Sequence, residues 1–174
     1  MDNEKVETVN YSEIENPLWK RIVIVSLGLF LLFLILGYFL FPFDTLASLI
    51  DSKKLEEGFV EQDVTISFEN GSYTVLLNYY NIHLSEEFKV CLLGYYNGVY
   101  HILSVHDVVM YEQAFDHVVS EPCPEETLVA LHSHLYRHCL ASEQDLKGLE
   151  KAQEVNPLAL IGIMCEPERF SFYS

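Results

Sequence analysis

The sequence predicts an α+β domain, with a mixed sheet and flanking helices, preceded by one transmembrane helix. Two observations lead to this prediction: a long apolar run near the N-terminus, and a later series of short apolar segments mixed with one clear helix. A chain of 174 residues has room for about one domain. We therefore expect a polar tail at residues 1–21, a transmembrane helix at 22–43, a connector at 44–58 and a globular domain at 59–174.

The apolar run at residues 22–43 contains no charged residue. As a helix it would reach about 33 Å, enough to cross a hydrocarbon core of about 30 Å. A buried core helix rarely needs so long a run, a cleaved signal peptide has a shorter one, and an interfacial helix needs a polar face. We predict a single-pass membrane protein anchored in the lipid bilayer. Lys20 and Arg21 before the run, and Lys53 and Lys54 after it, leave the side of the domain open.

Charge and cysteine content narrow the function classes. The formal net charge is −16, from 26 acidic and 10 basic residues, which argues against nucleic acid as a partner. The even number of cysteines is compatible with disulfides, but their spacings match no dense framework and include no CxxC pair. We therefore interpret all four as free, mostly buried thiols: Cys91, Cys123, Cys139 and Cys165.

Alternation and turn residues predict the elements of the globular domain. Residues 64–68 alternate and meet Asn70-Gly71, a strong hairpin signal, so residues 73–77 are predicted to return as a strand. The remaining predictions are a short amphipathic helix at 45–55, a helix at 142–154, and strands at 88–96, 99–109, 127–134, 158–165 and 170–173.

The stretch LHSHLYRHCLASEQDL, at residues 131–146, carries the chemistry. His132 and His134 are two residues apart on a predicted strand, so their side chains point to the same face and can bind one metal ion. Asp145, three residues after Ser142 at the predicted helix start, can supply an anionic third ligand. Two histidines and one carboxylate leave a fourth position for water, which is typical of catalytic zinc sites.

Simpler explanations exist for the separate parts of this pattern. HxH alone is a weak signal, and Ser142 with Asp145 is also a helix-capping pair. His132 and His134 could instead combine with His138 in a three-histidine site. The complete pattern HxHx7SxxD occurs by chance on the order of once in a thousand sequences of this kind, which favours the carboxylate site.

HxHx7SxxD is the signature of the JAMM metallopeptidases, so the chain resembles the MPN (JAB1/Mov34) domain family. The family also has a glutamate seven residues before the glycine of a G-L-L-L-G-like strand, and Glu87 stands at that spacing from Gly94. The resemblance covers about residues 70–174 and implies a cytidine-deaminase-like sandwich with one Zn²⁺ per chain. The compact form is similar to prokaryotic members, although Leu135 stands where the family often has proline.

The resemblance also implies a role for each residue of the motif. It makes His132, His134 and Asp145 the zinc ligands, Glu87 the general base that takes a proton from the zinc-bound water, and Ser142 the donor to the developing oxyanion. The implied activity is hydrolysis of a peptide or isopeptide bond. The substrate would be a protein or peptide, in the family often a ubiquitin-like conjugate, and residues 110–126 would form the first substrate-facing loop.

Two other functions fit parts of the pattern. A non-catalytic MPN scaffold would bind a partner without needing the metal ligands, whereas all five chemical positions are present here. A membrane-bound metal carrier or sensor would bind zinc reversibly and would not depend on Glu87. The zinc content of the protein separates the scaffold from the enzyme.

Overall fold

The computed structural model describes residues 18–40, 43–56, 58–135 and 137–174, which belong to two compact units that meet in sequence between Pro42 and Phe43. In the first unit, helix α1 spans Leu18–Leu40. An 18-residue stretch of this helix has a mean hydropathy of 2.8, and none of the helix residues is buried. It is therefore long and apolar enough to cross a membrane. It begins before the predicted span at 22, and residues 1–17 of the predicted tail lie outside the described residues.

The described part of the second unit is a mixed sheet with helices. The elements are α2 (Phe43–Asp51), β1 (Lys53–Lys54), β2 (Phe59–Glu61), β3 (Thr65–Phe68), α3 (Ser72–Ile82), β4 (Lys89–Tyr96), β5 (Tyr100–Asp107), β6 (Met110–Gln113), β7 (Val118–Ser120), β8 (Thr127–Ser133), α4 (Glu143–Val155), β9 (Leu160–Glu166) and β10 (Arg169–Tyr173). The main sheet has the order β1-β10-β9-β8-β4-β5-β3-β2, and β6 pairs with β7 in a separate sheet. The pairs β8–β9 and β3–β5 are parallel. The predicted α+β class is confirmed.

The two faces of the central sheet are covered by different helices. On one face Leu76 of α3 belongs to the large core cluster, together with Leu131 of β8 and Met164 of β9. On the other face Leu149 of α4 packs with Ile163 of β9. Because successive side chains of a strand point to opposite faces, His132 of β8, and His134 directly after it, lie on the α4 face, opposite Leu131.

The predicted hairpin at Asn70-Gly71 is wrong. Both residues have positive φ, 52° and 75°, as a tight hairpin would also require, but the chain continues into helix α3 instead of a returning strand at 73–77. The apolar residues Tyr73, Leu76 and Tyr80 recur at helical spacing, and Leu76 is fully buried. Strand β3 pairs in parallel with β5, and a parallel pair needs a crossover rather than a hairpin.

Gly94, the glycine seven residues after Glu87, is required by the packing of β4 against β5. The pairing of β4 with β5 shifts register between Leu93 and Gly94. A Cβ atom at Gly94 would overlap the backbone carbonyl oxygen of His101 on β5. Any side chain at this position would therefore force the two strands apart.

The interpretation of the cysteines as free thiols is also wrong, because all four are paired. Cys91 bonds to Cys123 and Cys139 to Cys165, with Cα atoms 5.7 and 5.2 Å apart, within the usual range for a disulfide. The partners are 32 and 26 residues apart in sequence. Sequence spacing did not reveal the pairs because each joins a strand to a loop that only the fold brings near it.

Candidate metal centre

The two histidines of the centre lie at the C-terminal end of strand β8. His132 is its penultimate residue and His134 follows its end, where the His134 backbone N–H still donates to the Met164 carbonyl of β9 at 3.1 Å. Both side chains are buried, each 8% exposed. Their Nε2 atoms are 3.0 Å apart. The central sheet therefore places the two imidazole nitrogens close enough to bind the same ion.

Helix α4 supplies the carboxylate through its N-terminal cap. Ser142 is the N-cap, and its Oγ accepts a hydrogen bond from the Asp145 backbone N–H at 3.2 Å. In return the Ser142 backbone N–H and hydroxyl both donate to Asp145 Oδ2, each at 2.7 Å. This capping box fixes Asp145 while leaving Oδ1 for another partner. Capping and metal binding are thus compatible for this pair.

The spacing of the donor atoms fits one tetrahedral ion. Asp145 Oδ1 lies 3.3 Å from His132 Nε2, and the three ligand atoms of the group are all within 4.8 Å of one another. With metal–ligand bonds of about 2.0–2.1 Å, tetrahedral geometry separates neighbouring ligand atoms by about 3.3 Å. His132, His134 and Asp145 could therefore hold a metal ion.

Hydrogen bonding and protonation leave the donors ready to bind a cation. The Nδ1 of His134 lies 3.0 Å from the His138 carbonyl oxygen, so Nδ1–H donates there and Nε2 keeps its lone pair. Burial and the neighbouring His132 lower the pKa of His134 to about 4, which makes the ring neutral at pH 7. Burial acts to raise the pKa of Asp145, but hydrogen bonds from His132 and Ser142 outweigh it and hold the pKa below its usual value.

The structure does not bring His138 into the group. Its side chain is exposed, and its Nδ1 lies 3.4 Å from Nδ1 of His134, on the side of that ring away from Asp145. The part of His138 that supports the centre is its backbone carbonyl. The three-histidine alternative is therefore not the arrangement found among the described residues.

Glu87 reaches the same site from the segment just before strand β4. Lys89 pairs with His132 across β4 and β8, and Ser133 N–H donates to the Phe88 carbonyl at 2.9 Å. Continuing this antiparallel register places Glu87 beside His134. Glu87 is 6% exposed. Burial, reinforced by the negative charges of Asp145 and Asp116 and partly offset by His117, raises its pKa to about 7.

These residues line one cleft of about 1070 Å³. Its floor is formed by β4 and β8, one wall by α4, and the opposite wall by residues 115–125, within the segment predicted to face the substrate. Part of that predicted loop, residues 110–126, is a hairpin, β6–β7. The hairpin is bonded to the floor by two hydrogen bonds: Glu87 N–H donates to the Ala114 carbonyl at 2.8 Å, and the Gln113 amide donates to the Glu87 carbonyl at 3.0 Å.

Sequence analysis overlooked Lys89, which also lines the cleft. Its ammonium group has no hydrogen-bond or ion-pair partner among residues 18–40, 43–56, 58–135 and 137–174. Burial lowers its pKa, an effect partly offset by Asp145. The i, i+2 rule that put the two histidines on one face also applies to Glu87 and Lys89, and could have identified it.

Comparison with models of known protein families and with curated protein sequences gives no match to this chain. The resemblance to the JAMM metallopeptidases therefore rests on five residues and their spacing. Their placement in one cleft is a separate observation, because Glu87 precedes β4, the histidines lie at the end of β8, and Asp145 is on helix α4.

Proposed function

We propose that this chain is a membrane-anchored zinc metallopeptidase of the JAMM type, which hydrolyses a peptide or isopeptide bond. The observation that carries the proposal is the convergence of His132, His134 and Asp145 at ligand spacing, in the cleft that also holds Glu87. Two histidines, one carboxylate and an open fourth position are the donor set of catalytic rather than structural zinc. The buried Glu87 carboxylate, in the same cleft, stands where a general base would be needed.

Each residue of the site would have its own part in the chemistry. When bound, zinc supplies a Lewis acid that polarises the scissile carbonyl and makes water more acidic. Glu87 takes a proton from the attacking water and passes it to the leaving amine. Ser142 donates its hydroxyl hydrogen to Asp145 in this structure, so it would stabilise an oxyanion only after the hydroxyl had rotated away from Asp145.

The surroundings suit a polypeptide substrate. A cleft of about 1070 Å³ is large for a small metabolite and can accommodate several residues of an extended chain. The apolar side chain of Phe115 lines it, although 59% exposed, and offers contact surface to a partner. Helix α1, acting as a transmembrane anchor, would confine the activity to substrates near the bilayer.

The first test is the zinc content of the full-length chain in detergent, for the native protein and for Asp145→Ala. We expect about one zinc per native chain and a loss of zinc in the variant, because two neutral histidines alone hold the ion weakly. Glu143→Ala is the matched control, since Glu143 is also acidic and in the first turn of α4 but lies outside the ligand group. A native protein without zinc would overturn the proposal and favour the scaffold function.

The second test separates an enzyme from a metal carrier. Zinc-loaded native protein and Glu87→Gln are screened against quenched peptide and isopeptide substrates. Removal of a general base lowers the rate by about 10²–10⁴-fold while leaving the ligands in place. Full activity of Glu87→Gln on any substrate cleaved by the native protein would refute the assigned mechanism.

A further inference from the structure

Both disulfides are built into the candidate site. Cys139 lies in the loop between His134 and Ser142, and its bond to Cys165 ties that loop to the end of β9. Cys91 is on the cleft face of β4, and its bond to Cys123 ties the outer wall to the floor. Both disulfides therefore hold segments that carry or border the candidate site.

Burial protects these bonds once they have formed. Cys91 and Cys139 are 0% exposed and Cys165 is 1% exposed. Protein disulfides form and persist outside the cytoplasm, because cytoplasmic thiol systems keep cysteines reduced. A domain in which all four cysteines are paired is thus suited to an oxidising compartment.

The charges around α1 favour the same location. Lys20 and Arg21 lie within its first turn, whereas Lys53 and Lys54 follow its end by more than ten residues and belong to strand β1 of the folded domain. The sequence between Leu40 and Lys53 contains acidic residues but no basic one. Basic residues close to an apolar helix remain on the cytoplasmic side, so the N-terminus stays inside and the domain is exported.

We propose that the domain lies outside the cytoplasm and that its substrates are extracytoplasmic polypeptides rather than cytoplasmic ubiquitin-like conjugates. A ubiquitin-like protein is conjugated only after its C-terminal carboxylate has been activated with ATP. This activation takes place in the cytoplasm, where ATP is available. The location does not depend on whether α1 stays as an anchor or is removed as a signal sequence, since in both cases the domain C-terminal to α1 is exported. The substrate class, but not the location, rests on the proposed peptidase function.

Protease access to spheroplasts tests the location without any activity measurement. The full-length chain, with a C-terminal epitope tag, is produced in a bacterial host, and intact spheroplasts are treated with proteinase K. We expect proteinase K to remove the tag from intact spheroplasts. We also expect that N-ethylmaleimide, added to the denatured but unreduced protein, modifies none of the four cysteines. A tag that is digested only after lysis, or alkylation of the cysteines without reduction, would overturn the proposal.

Two double variants identify the charges that set the orientation. Lys20→Glu with Arg21→Glu should lower the fraction of digested tag several-fold, whereas Lys53→Gln with Lys54→Gln should leave it unchanged. Equal effects of the two double variants would contradict the assignment of the basic pair.

The substrate class is tested on the same cells. A quenched peptide that the purified enzyme cleaves should be cleaved when added outside intact spheroplasts, and not with Glu87→Gln. Cleavage only after lysis would overturn the extracytoplasmic substrate. If the tag is accessible but purified protein holds no zinc, the location stands and only the proposed function fails.

Discussion

The floor and the outer wall of the cleft are built in opposite ways. The floor belongs to the central sheet, where every residue of β8 except Ala130 is buried and β9 is buried up to Cys165. The outer wall, residues 115–125, includes strand β7 of the separate two-stranded sheet. Apolar side chains are exposed in and beside that sheet: Tyr111 of β6 is 65% exposed and Phe115 of the wall 59%. The two histidines thus lie on or directly after a buried strand, whereas the outer wall and its hairpin are held to β4 and the segment before it by one disulfide and two hydrogen bonds.

The two disulfides provide the sharpest test of this difference. They close loops of similar length, with sequence separations of 32 and 26 residues, so removing either pair should destabilise the domain by about 3.5 kcal/mol. Only Cys139→Ala with Cys165→Ala should lower zinc affinity, by about tenfold or more, because this pair holds the loop between His134 and Ser142. Urea unfolding and competitive zinc titration of residues 43–174 measure the two effects. Equal losses of zinc affinity in both double variants would show that the wall supports the metal as much as the floor does.

The pH dependence of stability probes Glu87, which lies between the floor and the outer wall. The pKa of Glu87 is raised from 4.5 to about 7, so its contribution to stability is present below about pH 4.5 and is lost as the pH rises through 7. Because the Glu87 carboxyl group lines an open cleft, solvent screening reduces the effect of its raised pKa. We therefore expect the metal-free domain to lose about 1–2 kcal/mol of stability between pH 4.5 and 8. When the free energy of unfolding is measured with urea at these two pH values, Glu87→Gln should not show this loss. Parallel pH curves for native and variant proteins would contradict the raised pKa.

Ser142 caps helix α4 beside the metal group, and its two proposed roles can be separated. Ser142→Ala removes the N-cap and should cost about 1 kcal/mol of stability, whereas Ser142→Gly should cost only a few tenths of that amount. Both variants lose the hydroxyl, so both should lower kcat by about 10²-fold. Thermal unfolding and rate measurements on the two variants give the comparison. If kcat fell in Ser142→Ala but not in Ser142→Gly, in parallel with the loss of stability, Ser142 would be only a capping residue.

The smallest expected effect belongs to His138. Its backbone carbonyl, rather than its ring, accepts the hydrogen bond from His134, so His138→Ala should change zinc affinity by less than about threefold. His134→Ala, at the ligand itself, should abolish stoichiometric binding. Zinc titration distinguishes the two, and a large loss in His138→Ala would restore the three-histidine alternative.

Local periodicity was sufficient for much of the molecule. The apolar run identified helix α1, and alternation with turn residues identified β4, β5, β8 and β9 and the α+β class. The spacing of His132, His134 and Asp145 also sufficed to predict a metal group, because a strand and a helix cap place nearby residues in known directions. These features depend on residues close together in the sequence.

The features that sequence analysis missed depend on contacts between distant segments. Asn70-Gly71 suits a hairpin or the start of a helix, and the parallel pairing of β3 with β5 decided for α3. The cysteine pairs required loops to meet strands from which they are separated by 26 and 32 residues. The cleft itself, with Lys89 beside the metal group, exists only because β4 lies next to β8 and the hairpin β6–β7 closes over both. Spacing along the chain determines which side chains share a face, whereas tertiary packing determines which faces meet.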